Sequence, residues 1–301
     1  MKKMIHFCAM LLMLGGSVLL GITLFTNTTA LSLEQEILIP LLTPPCSPTP
    51  SKQEVFLATE QSPSPEETLF VPIEQKSSPA QTIPILSDPY IDPAKPMVAL
   101  TFDDGPGLRT MEILSLLQEN HGRATFFLVG NMIQDHQEVL RQIVAQDSQI
   151  GNHSWSHTSL SSLSYEKVLQ DVEKTNQVIE SLCGVKPTLL RPPYGNRKGS
   201  VIKASKALDL CVILWSIDTL DWKTRSSKTT YDTIMSQVKD GSIVLCHDIH
   251  DSTVDAMHQL IPALTQMGYQ LVTVSELLQY KYGAQLPGVL YFNGYDPLPT
   301  P

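Results

Sequence analysis

The sequence predicts an α/β domain on a parallel sheet that closes like a barrel, and two observations lead there. From Met97 onward, short apolar runs at 98–102, 124–129, 149–152, 188–190, 212–217, 242–245 and 271–274 read as buried strands. Between them, amphipathic stretches at 111–119, 137–145, 165–181, 200–207, 231–238 and 254–266 carry the apolar spacing of helices. Strands that are apolar on both faces and alternate with helices suit a parallel sheet covered by those helices. The number of strand–helix units points to barrel-like closure rather than an open sheet, and no internal repeat is visible.

The chain changes character before this domain. Lys2 and Lys3 precede residues 7–25, which carry no charge. An apolar run of about 20 residues can span a bilayer as a helix, whereas a secretory apolar core is usually about 7–15. Thr28-Thr29-Ala30 has the small residues of a cleavage site. Residues 1–30 are therefore expected to be a signal peptide or membrane anchor, the anchor being favoured. In either case the lysines mark the cytoplasmic side and the remainder is exported. More than half of the 22 prolines fall between Pro40 and Pro96, among Ser, Thr, Gln and Glu. Proline breaks helix and sheet, so 31–95 is expected to be an extended extracellular stalk. Residues 96–281 form the folded domain. Residues 282–301, with Pro287, Pro297, Pro299 and Pro301, read as a loose tail.

Composition narrows the function. Of 301 residues, 42% are hydrophobic, enough for a core, while 17% are charged and the net charge is -9. No Lys/Arg cluster follows the leader, which argues against nucleic acid as a partner. The five cysteines form no CxxC pair, so a thiolate zinc site is not expected. Cys183, Cys211 and Cys246 are an odd number and are expected to be small buried apolar residues.

In a parallel barrel, functional side chains lie just past the C-terminal ends of the strands. After the first strand comes Thr101-Phe102-Asp103-Asp104-Gly105-Pro106, where adjacent carboxylates can point to a metal and to a reacting water. The same residues could be a solvated turn. After the third comes His153-Ser154-Trp155-Ser156-His157, an i, i+4 pair that on one helical face would suit one metal, or would be two unrelated histidines. After the fourth, Arg191-Pro192-Pro193-Tyr194-Gly195 is a stiff loop carrying a guanidinium, or simply a proline-rich turn with a surface Arg. After the fifth, Asp221-Trp222 sets a carboxylate beside an indole, which suits a sugar platform or an ordinary N-cap and core Trp. After the sixth, Leu245-Cys246-His247-Asp248 puts a histidine at a strand end, where it could titrate or be satisfied within the core.

Each signal is modest alone, but together and in this order they resemble the NodB-homology polysaccharide deacetylases, carbohydrate esterase family 4. The likeness is closest to the bacterial peptidoglycan N-acetylglucosamine deacetylases. It covers roughly residues 97–280, with every family motif present. It implies a distorted (β/α)7-type barrel and a hydrolase that releases acetate from N-acetylglucosamine residues of cell-wall peptidoglycan. On this resemblance Asp103 is the catalytic base, and Asp104, His153 and His157 hold a divalent metal, Zn2+ first, with Co2+, Ni2+ or Mn2+ also suited to the donors. Arg191 orients the base, and the Tyr194 backbone N–H holds the oxyanion. Asp221 tunes His247, the general acid. Trp222, Tyr194 and Leu245 contact substrate, Leu245 in the acetyl pocket. His250 matches no family role.

Chitin oligosaccharides, or O-acetyl esters at the same site, are the alternatives. A silent carbohydrate binder is a further one, disfavoured because Asp103 and His247 are both present. The expected partners are a cell-wall glycan and, through the leader, the membrane. The expected form is a monomer at the outer face of the bacterial plasma membrane, or secreted if the leader is removed. Resistance of the wall to muramidases would follow from the amines left behind.

Overall fold

The computed structural model describes residues 90–295 and the backbone of 297–298. The expected leader and nearly all of the expected stalk lie outside the described residues. Among the described residues no helix is long and apolar enough to cross a membrane.

Strand and helix alternate as the apolar pattern requires. β1 (Met97–Gly105) leads to α1 (Thr110–Glu119), β2 (Thr125–Leu128) to α2 (Gln137–Ala145), and β3 (Gln149–Asn152) to α3 (Tyr165–Cys183). β4 (Leu189–Leu190) leads to α4 (Gly199–Ala207), and then β5 (Cys211–Ile213) and β6 (Ile217–Asp218) follow each other directly. Next come α5 (Asp221–Thr224), α6 (Ser227–Gln237), β7 (Ser242–His247) and α7 (Asp251–Gln266). β8 (Gln270–Leu271), α8 (Val274–Leu277), β9 (Leu290–Tyr291) and β10 (Pro297–Leu298) complete the order. Ser164 caps α3 by accepting from the Lys167 N–H, and Gly184 ends that helix in the left-handed region at φ 74.

The strands run β10-β9-β5-β4-β3-β2-β1-β7-β6, with β8 on β1, and every pair is parallel except β9–β10. One predicted strand, 212–217, is in fact two. β5 pairs with β4 and β9, whereas β6 pairs with β7 toward the other end of the sheet. Only Leu214, Trp215 and Ser216 join them, a link that reaches roughly 14 Å at most. The sheet must therefore curl until its two flanks meet. The link is fastened on both sides: the Leu214 N–H donates to Tyr291 O at 2.8 Å and the Ser216 N–H to Ile243 O at 2.9 Å. This is the curled, nearly closed form of the barrel.

The C-terminal segment corrects an expectation. Over its described residues the loose tail instead enters the sheet: β9 lies along β5, Asn293 bridges to Ser242, and Tyr291 is fully buried. Burial of a Tyr ring and a new sheet edge outweigh the local disorder that the prolines suggest. The predicted strand 271–274 is also shorter, because Thr273 caps α8 with Glu276 in a capping box. Cys211 and Cys246 are buried as expected, but Cys183 is half-buried at the end of α3.

Period-two alternation sorts side chains between two cores. Val98, Leu100 and Phe102 of β1, with Val244 and Cys246 of β7, face the layer packed by α1, α2 and α7. Met97 and Ala99, with Ile243 of β7 and Phe127 of β2, fill the barrel interior. The same alternation sends Thr101 and Asp103 inward from β1, and Leu245 and His247 inward from β7.

Gly151 in β3 sits against the Phe127 ring, where an added Cβ would lie 2.4 Å from a ring carbon. Gly151→Ala should destabilise the protein by about 1–3 kcal/mol through overpacking, seen as a lower midpoint in thermal unfolding. An unchanged midpoint would show that the ring has room to move.

Candidate active site and metal centre

β1 and β7 are parallel neighbours in a register that sets Asp103 directly beside His247. Adjacent strands lie about 4.8 Å apart, so a carboxylate and an imidazole share the C-terminal mouth of the barrel. Asp103 is held from within. Arg191, at the end of β4, is fully buried, and its Nη1 donates to Asp103 Oδ1 at 2.7 Å and to Thr101 Oγ1 at 2.6 Å. Its Nη2 donates to Leu214 O at 2.9 Å, its Nε donates to Ile213 O at 3.3 Å, and the guanidinium lies 4.1 Å from the Phe127 ring centroid. A buried cation is tolerable only when satisfied in this way.

Asp104, His153 and His157 bring one ligand atom each to within 4.8 Å of one another. The sequence suggested a helical face for the two histidines. Residues 153–157 are instead a loop, with Ser154 at φ 68 and His157 at φ 56. Buried Asn152 shapes it, accepting from the Ser154 N–H at 2.8 Å and donating to Val172 O and Asn176 Oδ1. Asp104 is also left-handed, at φ 67, which turns its carboxylate out of the strand alternation and toward the histidines. Such conformations cost of order 1–3 kcal/mol each and cluster at functional sites.

The donors fit a divalent metal. His153 Nδ1 lies 2.6 Å from Arg191 O, which fixes the proton on that nitrogen and leaves the Nε2 lone pair facing Asp104. His153 Nε2 and His157 Nε2 approach Asp104 Oδ1 at 3.3 and 3.1 Å, yet that oxygen is buried without an aligned hydrogen bond. Three donor atoms converging on one point, with a buried carboxylate oxygen among them, suit a cation. Burial would raise the Asp104 pKa, but the two imidazoles hold it far below the usual carboxylate range. Contact with Asp104 raises the His157 pKa against the opposing effect of burial.

His247 is oriented by Asp221, which is fully buried at the start of α5. Asp221 Oδ1 lies 2.8 Å from His247 Nδ1, while Oδ2 accepts from the His247 N–H and the Thr253 hydroxyl, each at 2.7 Å. Burial opposes charge on His247, but Asp221, with Asp103 and Asp104 behind it, raises the pKa to about 9. With Nδ1 committed to Asp221, the exchangeable proton sits on Nε2.

A cavity of about 400 Å³ collects these groups, lined by Asp103, Asp104, His153, His157, Tyr194, Trp222, Leu245 and His247, together with Pro192, Gly195, Trp215 and Asp218. Arg191 and Asp221 lie behind its wall. Tyr194 is left-handed at φ 61 in the turn Pro193–Gly195, and its ring meets the His157 ring edge-on at 4.8 Å.

A family model described as polysaccharide deacetylase matches residues 91–213. The chain is 42% identical over 192 residues to the peptidoglycan-N-acetylmuramic acid deacetylase PdaC of Bacillus subtilis, a match covering 64% of this chain and 40% of that one. It is 35% identical over 201 residues to the peptidoglycan-N-acetylglucosamine deacetylase PgdA of Listeria monocytogenes, covering 66% and 42%. The chain thus spans less than half the length of these curated relatives. A solved structure of Bacillus subtilis PdaC superposes with a TM-score of 0.62 at 41% identity, covering 64% of this chain and 95% of that one. This chain belongs to the polysaccharide deacetylase family.

Every residue given a role on the resemblance falls in this cavity or directly behind it, while His250, given none, lies outside its lining. Sequence reasoning missed Trp215, which enters the cavity because the strand around it breaks, and Thr253, which contacts Asp221 from the first turn of α7. An indole at a strand's C-terminal end was the available signal for Trp215, while nothing in the sequence marked Thr253.

A pKa raised on folding gives stability that is full below about 6.5, the ordinary histidine value, and lost as pH climbs through about 9. In the metal-free protein, an NMR titration of His247 should show a midpoint near 9. Asp221→Asn should bring it down toward 6.5 and remove this alkaline loss of stability. The same midpoint in both proteins would show that Asp221 does not govern the charge of His247.

Proposed function

We propose that this polysaccharide deacetylase hydrolyses the N-acetyl groups of N-acetylglucosamine residues in cell-wall peptidoglycan, releasing acetate and leaving the amine on the glycan. The observation that carries this reading is the register of β1 and β7, which faces a carboxylate and a protonated imidazole across one cavity beside a three-donor metal group. An amide needs both: a base to activate water and an acid to protonate the leaving nitrogen.

Asp104, His153 and His157 would hold the divalent ion, with Zn2+ the first choice. The ion would make a water acidic and polarise the acetamide carbonyl. Asp103, oriented by Arg191, takes the proton of the attacking water as its oxygen bonds to the carbonyl carbon. The Tyr194 N–H, set by its left-handed turn, donates to the oxyanion that forms. His247 gives its Nε2 proton to the nitrogen as the C–N bond breaks. Acetate departs, and Asp221 keeps the imidazole charged and aimed. Leu245 closes round the acetyl methyl group, and the half-exposed Trp222 offers a flat face to the sugar. The names of the relatives support peptidoglycan over chitin. The charged leader, apolar run and proline-rich stalk support a catalytic domain held at the outer face of the plasma membrane and reaching into the wall.

Acetate release from acetylated peptidoglycan should require the metal, stop with chelator and return with zinc or cobalt. Asp103→Asn should lower kcat by about 10²–10⁴ with the metal still bound, as measured by metal analysis. His247→Ala should abolish amide hydrolysis while leaving hydrolysis of an O-acetyl ester, whose leaving group needs less protonation. No release from peptidoglycan or chitin by the metal-loaded protein would sink the deacetylase reading.

A further inference from the structure

Beyond the cavity, on the same rim as His247, stands a second cationic group that the deacetylation chemistry leaves unused. Helix α5 is bracketed by two left-handed residues, Leu220 at φ 53 and Arg225 at φ 49, so its short turn is fixed at both ends. Asp221 ties the inner side of that turn to His247. Arg225 ties the outer side to His250, the residue capping α7, through a hydrogen bond from its guanidinium to His250 Nδ1. Arg225 Nε also donates to Trp222 O at 2.8 Å, which anchors the guanidinium beside the indole that lines the cavity. The His250 ring lies 5.9 Å from the His247 ring. Burial and the Arg225 charge lower the His250 pKa, so His250 accepts this hydrogen bond as a neutral imidazole.

Arg225 is tied at two of its nitrogens and still has no anion. Among the described residues no carboxylate pairs with it, although the chain carries a net charge of -9. The nearby acids are engaged elsewhere: Asp221 with His247 and Thr253, Asp218 with the Leu220 N–H, and Asp251 with Arg109. Arg225 is exposed, and so is Lys223 on the same turn. A clamped, solvent-facing guanidinium whose Nη2 has no partner among the described residues suits charge-assisted binding of a carboxylate.

We propose that Arg225, held by His250 and Trp222, binds a carboxylate on the glycan, on or next to the sugar being deacetylated. In wall glycan such a group is the lactyl carboxylate of an N-acetylmuramic acid residue that carries no stem peptide, because a stem peptide takes that carboxyl into an uncharged amide. Neutral chitin oligosaccharides have no such group. The inference rests on the deacetylase reading and narrows its substrate to glycan strands freed of stem peptides.

The test compares two probes, N-acetylglucosaminyl-N-acetylmuramic acid and the same disaccharide with its carboxyl converted to a primary amide. The metal-loaded protein should show a higher kcat/KM for the acid, a preference that shrinks as salt rises. Arg225→Gln should lower the ratio of the two kcat/KM values about tenfold, in line with the loss of an exposed charge-assisted hydrogen bond. Equal treatment of the two probes by the unaltered protein would overturn the inference. So would an Arg225→Gln variant that keeps the ratio, including one in which both rates fall in parallel, since that is the effect of a merely structural tie. Should neither probe release acetate, direct binding decides in its place. An NMR titration must then show tighter binding of the acid than of the amide, lost in Arg225→Gln, and equal affinities would overturn the inference independently of the reaction.

Discussion

The structure turns on one buried cation. The Arg191 guanidinium lies at the centre of the curled sheet and joins β1, through Thr101 and Asp103, to the end of β5, through the carbonyls of Ile213 and Leu214. Its own carbonyl fixes the tautomer of His153. The residue that orients Asp103 therefore also sets one of the candidate metal donors and pins the link between the two flanks of the barrel. Removing one partner from such a group leaves an uncompensated buried charge, which costs about 3–5 kcal/mol in comparable cases. Fold and chemistry are coupled here through a single side chain.

Around that centre the site is built from two kinds of geometry. Strand alternation is the regular kind: it sends Asp103 and His247 inward from neighbouring strands at the same level. The irregular kind is the set of left-handed residues Asp104, His157, Tyr194 and Leu220, which turn side chains or an N–H where no regular element would aim them. The two meet in one cavity, so the carboxylate and the imidazole face each other while the metal donors converge beside them.

This division explains what could be read from the sequence. The alternation of buried strands and amphipathic helices was plain, and the polar residues after each strand marked the mouth of the barrel. The helical reading of His153 and His157 failed because Asn152 captures the loop with side-chain hydrogen bonds, a competition that residue spacing does not reveal. The run 212–217 is continuously apolar, so nothing local shows that it breaks at Leu214 to serve opposite flanks. The C-terminal prolines suggested disorder, yet Tyr291 has a buried place waiting beside β5. In the last two cases a contact distant in sequence overrode a local preference.

The short link between β5 and β6 also bears on how this scaffold can diversify. Its backbone is held on both sides, its Leu214 carbonyl satisfies Arg191, and Trp215 forms part of the cavity wall. An inserted or deleted residue there would shift the anchor of Arg191, a cavity wall and a sheet junction at once. The stretch from 158 to 164, past His157, holds none of these roles. A change of length is therefore absorbed more readily in that outer stretch than in the linker.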